Sequence, residues 1–189
     1  MVFKIMWGMT GTGYMIEESI HLMKRLQEKY REDISITVML SKEGEAVVKW
    51  YKQWDYLKET VKRVHPERTP NIPFFAGALQ IGKYDLFIVS PVSANSVAKI
   101  VCGIADTLIT NCVAQAIKGG VTAHIFPSDQ DLEPIVTTKP SGEKLVLRIR
   151  DIEIENVEKL KKLEGIHVIQ KFSDIETLIE EKIQQHSEN

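Results

Sequence analysis

The chain has 189 residues, of which 43% are hydrophobic and 26% charged, and its formal net charge is −2. These values are typical of a globular protein of one domain and give no electrostatic reason to expect nucleic acid. No apolar run approaches the roughly 20 residues that a membrane helix needs. The two cysteines, Cys102 and Cys112, are too few for a zinc site or an iron–sulfur cluster. We therefore expect a cytoplasmic, reduced protein without a metal site or a membrane contact.

The N-terminal third alternates between strand and helix patterns. Residues 2–6 predict a short buried strand rather than a signal peptide, because no basic segment precedes them. A helix is predicted over 14–30, where apolar residues recur at helical spacing. Ile34–Leu40 is rich in β-branched residues and predicts a second, parallel strand covered on both faces. A further helix is predicted over 44–63.

The middle of the chain contains three closely spaced prolines, which exclude regular structure over residues 65–73. A short helix is predicted over 74–80. The most apolar run, Tyr84–Val89, predicts a third strand. A helix-like segment follows from 97 to 101.

The C-terminal half continues the alternation. Its predicted elements are a helix at 106–118, a strand at 121–126, a hairpin of 135–138 with 144–150, a helix at 153–164, a strand at 166–169 and a helix at 174–184. This order predicts an α/β fold, a three-layer doubly wound parallel sheet of flavodoxin-like or Rossmann-like type with a short C-terminal extension. We expect residues 1–130 to form the ligand-binding domain. Residues 131–189 would form a C-terminal hairpin and β/α extension packed on the same domain.

Small polar residues follow the third predicted strand. Ser90–Ser96 contains serine and asparagine side chains between a buried strand and a helix start. Open α/β sheets build ligand sites at the carboxyl ends of their strands, close to helix N-termini. This stretch therefore predicts one half of a ligand site.

A glycine-rich loop, Gly8–Gly13, supplies a candidate for the other half. Glycines let the backbone approach a phosphate closely at a helix start. The loop is a poor dinucleotide fingerprint, because Ile16 stands where the third glycine belongs and Ser41 stands where an acid would hold a ribose. It is not a P-loop, because no Gly-Lys-Ser/Thr follows. The pattern favours a mononucleotide such as FMN, and a tight turn without a ligand stays an alternative.

The segment from Ser90 to Asn111 resembles the P-A-S-A-N-T signature of the homo-oligomeric flavin-containing cysteine decarboxylase superfamily. The K-I-A-x-G-I-x-D-x-L pattern that follows in that superfamily is matched at Lys99-Ile100, Gly103-Ile104, Asp106 and Leu108. The resemblance covers about residues 1–130.

This resemblance implies that FMN lies with its phosphate near the first loop, between the subunits of a trimer. The first loop and Ser41 would hold the phosphate and ribityl chain, and the P-A-S-A-N-T stretch would line the flavin. The predicted cofactor-binding residues are Gly8, Thr10, Gly11, Thr12, Gly13, Ser41, Ser90, Ser93, Ala94, Asn95, Ser96, Asp106, Thr110 and Asn111.

Two departures from the decarboxylases leave the catalytic residues unassigned. Their catalytic histidine is missing, because the corresponding segment reads Pro70-Asn71-Ile72-Pro73. Their Met- and Trp-containing substrate clamp is replaced by Pro127–Asp131. Both absences argue against decarboxylation or prenyl transfer, which remain an alternative within the superfamily. A nucleotide-binding module that takes no flavin is a further alternative.

A closer resemblance, to the archaeoflavoproteins related to dihydromethanopterin reductases, extends to the C-terminal part of the chain. It includes Trp50–Asp55, Ala76–Asp85, Leu145–Asp151 and Val157–Ile166. It implies flavin redox chemistry with a ferredoxin-type electron donor in a homo-oligomer, a trimer or a multiple of it. Electron transfer to another redox protein and reduction of a pterin both remain open.

Several aromatic side chains have two interpretations. Packing is favoured over flavin contact for the stripe of Trp50, Tyr51 and Trp54. For Trp7, beside the glycine loop, core packing and contact with the cofactor are equally supported. His124 lies inside a predicted strand and is expected to be a buried residue with a hydrogen-bond partner.

Overall fold

The computed structural model describes residues 2–71, 73–139 and 141–188. Six strands form one parallel sheet in the order β3-β2-β1-β4-β5-β8, and two further strands form an antiparallel hairpin. The strands are β1 (Phe3–Met9), β2 (Ile34–Leu40), β3 (Arg63–Pro66), β4 (Leu86–Val92), β5 (Ala123–Pro127), β6 (Ile135–Thr138), β7 (Lys144–Leu147) and β8 (Ile166–Val168). The predicted doubly wound α/β fold is confirmed.

Helices cover both faces of the sheet. They are α1 (Ile16–Tyr30), α2 (Lys42–Trp50), α3 (Trp54–Thr60), α4 (Pro73–Gln80), α5 (Ala94–Val101), α6 (Leu108–Lys118), α7 (Asp151–Leu160) and α8 (Asp174–Ser187). Alternate residues of β1 enter opposite layers: Ile5 packs with α1 and α8, and Met6 packs with α4, α5 and α6. Both faces of the central strands are therefore apolar, which explains their continuous hydrophobic sequence.

Hydroxyl side chains begin three of the helices that follow strands or loops. Ser41 accepts a hydrogen bond from the Gly44 amide at 3.0 Å and starts α2. Ser93 starts α5, and Thr107 starts α6. Such side chains satisfy amides at the helix N-terminus that lack a partner within the helix. These caps fix helix starts beside the carboxyl ends of β2 and β4.

Two predictions for residues 44–73 are wrong. The single predicted helix is two helices, α2 and α3, with Lys52 between them at a φ of 58°. His65 and Pro66, expected in irregular structure, belong to β3. Pro66 is tolerated there because β3 pairs with β2 at the edge of the described sheet. Ile72, within the segment predicted to be irregular, lies outside the described residues.

Strands β1 and β4 also extend further than predicted. Gly8, expected in the loop, lies inside β1, where an added Cβ would be 3.1 Å from Cδ1 of Ile109. Its missing side chain allows α6 to pack closely on the sheet. Ser90 likewise lies inside β4. Of the two cysteines, Cys102 is exposed at the end of α5 and Cys112 is buried.

The predicted C-terminal hairpin is confirmed, with Ile135 opposite Leu147. Strand β8 joins the main sheet beside β5, and α7 packs against α5. Within the described part of the chain, no helix combines the length and apolar character needed to cross a membrane.

Candidate functional site

The two predicted halves of the site meet where strand order reverses, between β1 and β4. The Thr10 amide donates to the carbonyl oxygen of Pro91 at 3.1 Å. The Thr10 hydroxyl accepts from the amide of Ser93 at 2.7 Å. Thr10 is 1% exposed, so its hydrogen bonds connect the two segments within the protein interior. Ligands of open α/β folds bind at this kind of reversal point.

The loop after β1 is held against α2 and the residue that follows it. A Cβ at Gly11 would lie 2.6 Å from Cβ of Glu43, and one at Gly13 would overlap the hydroxyl of Tyr51. The amide of Tyr14 donates to the Thr12 hydroxyl at 3.2 Å, which tightens the turn into α1. Glycine is therefore required at position 11 by the close approach of α2, whereas at position 13 the end of the Tyr51 side chain would have to move.

The start of α5 forms the opposite side. The Ser93 hydroxyl accepts from the Ser96 amide at 3.4 Å, and the two hydroxyls are 3.2 Å apart. Ser96 is buried, whereas the Asn95 side chain is exposed and reaches the neighbouring cavity. The start of α5 therefore exposes the amide side chain of Asn95 and the first helical turn to the cavity, as suits a polar ligand.

A cavity of about 680 Å³ lies between these segments, the hairpin and the start of α7. Its volume falls within the range of small-molecule sites, about 300–1,000 Å³. Apolar hairpin residues form one wall, and glycine loop and helix residues form the polar end. The lining includes Gly11, Thr12, Gly13, Tyr51, Ser93, Ala94, Asn95, Asp129, Ile135, Leu145, Leu147, Arg150 and Glu153. A planar apolar ring with a phosphate tail fits this distribution of side chains.

The structure separates the predicted site residues into three groups. Those that line the cavity are Gly11, Thr12, Gly13, Ser93, Ala94 and Asn95. Four lie behind them: Thr10 and Ser96 hold the segments together, Ser41 caps α2, and Ser90 is fully buried. Among the described residues, the Ser90 hydroxyl has no hydrogen-bond partner.

The third group does not reach this cavity. Asp106 forms an ion pair with Lys99 at 2.9 Å, and Thr110 completes the capping box of α6. The Asn111 side chain donates to the carbonyl oxygen of Pro70 at 3.4 Å. Gly8 is inside β1. The predicted cofactor contacts of these residues therefore stay predictions that the cavity itself does not support.

Sequence reasoning missed the acidic and basic residues of the cavity. Asp129 follows β5 and accepts a hydrogen bond from the Ser128 hydroxyl at 2.8 Å. Arg150 and Glu153 form an ion pair of 2.6 Å at the start of α7. The position of Asp129, three residues after a predicted strand, was a usable signal. Arg150 and Glu153 reach the cavity through the hairpin, which no local pattern reveals.

The aromatic residues differ in their surroundings. Trp7 is fully buried, and its indole nitrogen donates to the carbonyl oxygen of Ser90 at 2.7 Å, which places it in the core. Trp50 is 60% exposed, and both Trp50 and Tyr51 line the cavity. His124 is buried and lies with its Nδ1 2.9 Å from Nδ1 of His167, as expected for a residue with a partner.

The fold is that of a doubly wound α/β protein, and the cavity lies at the switch point of its sheet. The chain belongs to the flavoprotein family, which it matches over residues 2–187. This family assignment confirms the superfamily that the Ser90–Asn111 segment predicted.

Relatives share both sequence and fold with the chain. An uncharacterized protein of Methanocaldococcus jannaschii, MJ0730, is 48% identical over 94% of this chain and 95% of its own length. A dihydromethanopterin reductase (acceptor) of the same organism is 44% identical over 72% of this chain, and the match spans 57% of that relative. The crystal structure of Burkholderia xenovorans DmrB with FMN, described as a cubic protein cage for redox transfer, is 30% identical. The structural match covers 98% of this chain and 97% of the DmrB chain, with a TM-score of 0.80.

Proposed function

We propose that this chain is an FMN-dependent redox protein that binds its cofactor in the cavity between the glycine loop, the start of α5 and the hairpin. The observation that carries this proposal is the meeting of Gly11–Gly13 and Ser93–Asn95 at one cavity of about 680 Å³. Glycine amides and a helix N-terminus suit a phosphate and polar ring edge, and the apolar hairpin suits the ring face.

FMN is the cofactor predicted from the sequence, and this prediction is confirmed by the flavoprotein family and by the FMN complex of the DmrB relative. Bound FMN supplies one- and two-electron redox chemistry. In this proposal, Gly11, Thr12 and Gly13 bind the phosphate and ribityl chain, and Ala94 and Asn95 lie along the ring.

A ferredoxin-type protein is the electron donor in this proposal. The chain contains two cysteines, too few to bind an iron–sulfur cluster, so electrons from such a cluster come from a separate protein. The acceptor is a pterin or another redox protein. The pterin is supported by the dihydromethanopterin reductase relative, 44% identical over 72% of this chain. Residues of the 128–139 segment at the cavity wall, among them Ser128 and Asp129, would contact it.

Assembly into a homo-oligomer, a trimer or a multiple of it, is part of the proposal. Large apolar side chains are exposed on the single chain, among them Val136 at 57% and Val146 at 60%, which lie opposite each other in the hairpin. Such residues are typical of surfaces that a second subunit covers. The DmrB relative is described as a cubic cage. Light scattering on the purified chain should give a mass that is a multiple of three subunits, and a monomer would contradict this proposal.

The decisive experiment is an absorbance spectrum, followed by reduction with ferredoxin in the presence and absence of dihydromethanopterin. We expect a yellow protein that reduced ferredoxin bleaches and that dihydromethanopterin reoxidises. A colourless protein that gains no flavin absorbance with FMN would contradict the proposal. Bleaching by ferredoxin without reoxidation by the pterin would restrict the function to electron transfer between proteins.

A further inference from the structure

One carboxyl group lies at the cavity wall at the carboxyl end of β5. Asp129 is partly buried, and its carboxylate accepts hydrogen bonds from the Ser128 hydroxyl, at 2.8 Å, and from the backbone amide of Ala94. Ser128 is itself fixed, because its amide donates to the carbonyl oxygen of Val92 at 2.8 Å. Asp129 is therefore held at the first turn of α5, beside Asn95, the residue proposed to lie along the flavin.

Other ionisable groups face Asp129 from two neighbouring elements. Glu153 and Arg150 face it from the start of α7, and Tyr14 from the loop after β1. Burial, followed by the negative charge of Glu153, raises the pKa of Asp129 above its ordinary value. The hydrogen bonds from Ser128 and Ala94 and the charge of Arg150 oppose this rise. A raised pKa is typical of carboxyl groups that exchange protons at functional sites.

The other charged groups at the cavity are already paired. Arg150 donates to Glu153, and these hydrogen bonds outweigh burial and lower the pKa of Glu153. Lys139 is paired with Glu143 at 2.9 Å. Asp129, by contrast, has no cation within salt-bridge distance among the described residues, although hydrogen bonds hold its carboxylate in place.

We propose that Asp129 is the proton-exchanging carboxyl of this redox site, an inference that rests on the proposed FMN function. Two-electron reduction of FMN by the donor, with uptake of one proton from water by the flavin, leaves one added negative charge in the cavity, and Asp129 takes up a second proton from water in response. When hydride passes to the carbon of a C=N bond in the acceptor, the Asp129 carboxyl donates its proton to the nitrogen. Asp129 is then left as a carboxylate beside oxidised FMN until the next reduction. The acceptor has received two electrons and two protons, one proton within the hydride and one from Asp129.

The test asks whether the midpoint potential of bound FMN depends on the protonation state of Asp129. The midpoint potential is measured against pH for wild type, Asp129→Asn and Asp129→Glu. Asp131→Asn is a matched control, because Asp131 lies two residues away, carries the same charge and does not line this cavity. We expect the slope of potential against pH to change at the pKa of Asp129 in wild type, Asp129→Glu and Asp131→Asn, and to lose this change in Asp129→Asn.

A second measurement does not depend on the stability of a variant. Carbon-13 NMR of the aspartate carboxyls in wild type should give a higher pKa for Asp129 with reduced FMN than with oxidised FMN. Identical pKa values in the two states, or coincident potential curves for wild type and Asp129→Asn, would overturn the inference. Pterin turnover should also fall about 100-fold in Asp129→Asn, as for loss of a general acid. Failure of wild type to bind FMN would instead overturn the proposed function, and this inference with it.

Discussion

The hydroxyl of Thr10 accepts a hydrogen bond from the backbone amide of Ser93 at 2.7 Å, across 83 residues of sequence. The amide of Thr10 donates in turn to the carbonyl oxygen of Pro91 at 3.1 Å. The glycine loop and the start of α5 therefore position each other directly, without a ligand between them. A preformed arrangement of this kind lowers the entropy lost when a cofactor binds.

Replacing Thr10 tests this connection. Thr10→Val keeps the shape of the side chain but leaves the partly buried Ser93 amide without its acceptor, which costs about 1 kcal/mol. Thr10→Ser keeps the hydroxyl and is the matched control. We expect urea unfolding to show the loss of stability in the valine variant alone, together with weaker quenching of FMN fluorescence. Equal stability of the two variants would show that the hydrogen bond contributes little.

Gly11→Ala tests the close approach of the loop to α2. The added Cβ would lie 2.6 Å from Cβ of Glu43 and 3.2 Å from its backbone carbon, so the loop must move. We expect FMN affinity to fall about tenfold, equivalent to about 1.4 kcal/mol. Gly77→Ala is the control, because nothing lies within 4 Å of its Cβ and alanine stabilises a helix by about 0.5–1 kcal/mol. FMN titration and thermal unfolding of both variants measure these opposite effects.

Local sequence patterns predicted the elements that are buried on both faces. Strand β2 begins and ends at the predicted residues, Ile34 and Leu40, because its continuous apolar sequence is dictated by helices on both sides. The patterns failed at β3, where Pro66 indicated a break. That strand exists because the neighbouring β2 offers an edge for pairing, which its own sequence does not reveal.

The same distinction applies to the site. Gly11–Gly13 and Ser93–Asn95 could be predicted, because each follows a strand and begins a helix within a few residues. The wall formed by the hairpin and Arg150 could not, because it depends on how distant segments pack. Resemblance to a family also assigned Asp106 and Asn111 to the cofactor, although neither lines this cavity in the single chain.

Substitutions of two asparagines distinguish the cofactor contacts predicted from the sequence from the contacts that the cavity geometry supports. The exposed Asn95 side chain reaches the cavity, whereas Asn111 donates to the carbonyl oxygen of Pro70 elsewhere. We expect Asn95→Ala to weaken FMN binding about three- to tenfold, the value of one hydrogen bond. Asn111→Ala should change the affinity for FMN by less than about twofold, equivalent to less than about 0.5 kcal/mol. A larger loss for Asn111→Ala, measured by FMN titration, would favour a cofactor position shared with a neighbouring subunit.

The His124–His167 pair predicts sensitivity to acid. Burial, followed by the charges of His167 and Lys182, lowers the pKa of His124 to about 4. In the unfolded chain a histidine has a pKa of about 6.5. Between these values the unfolded chain binds a proton at this position that the folded chain does not. The free energy of unfolding therefore falls by at most about 3 kcal/mol as pH is lowered through this window. Above the window, the contribution of His124 to stability is fully present.

A difference measurement isolates this contribution from carboxyl groups that titrate nearby. Urea unfolding of wild type, His124→Gln and His21→Gln is compared at neutral pH and at about pH 4.5, inside the window set by the two pKa values. His21→Gln is the matched control, because it removes an exposed histidine that lies away from the His124–His167 pair. His124→Gln cannot bind a proton and should lose less stability in acid than wild type. Parallel losses in all three proteins would mean that His124 accepts a proton in the folded chain without cost.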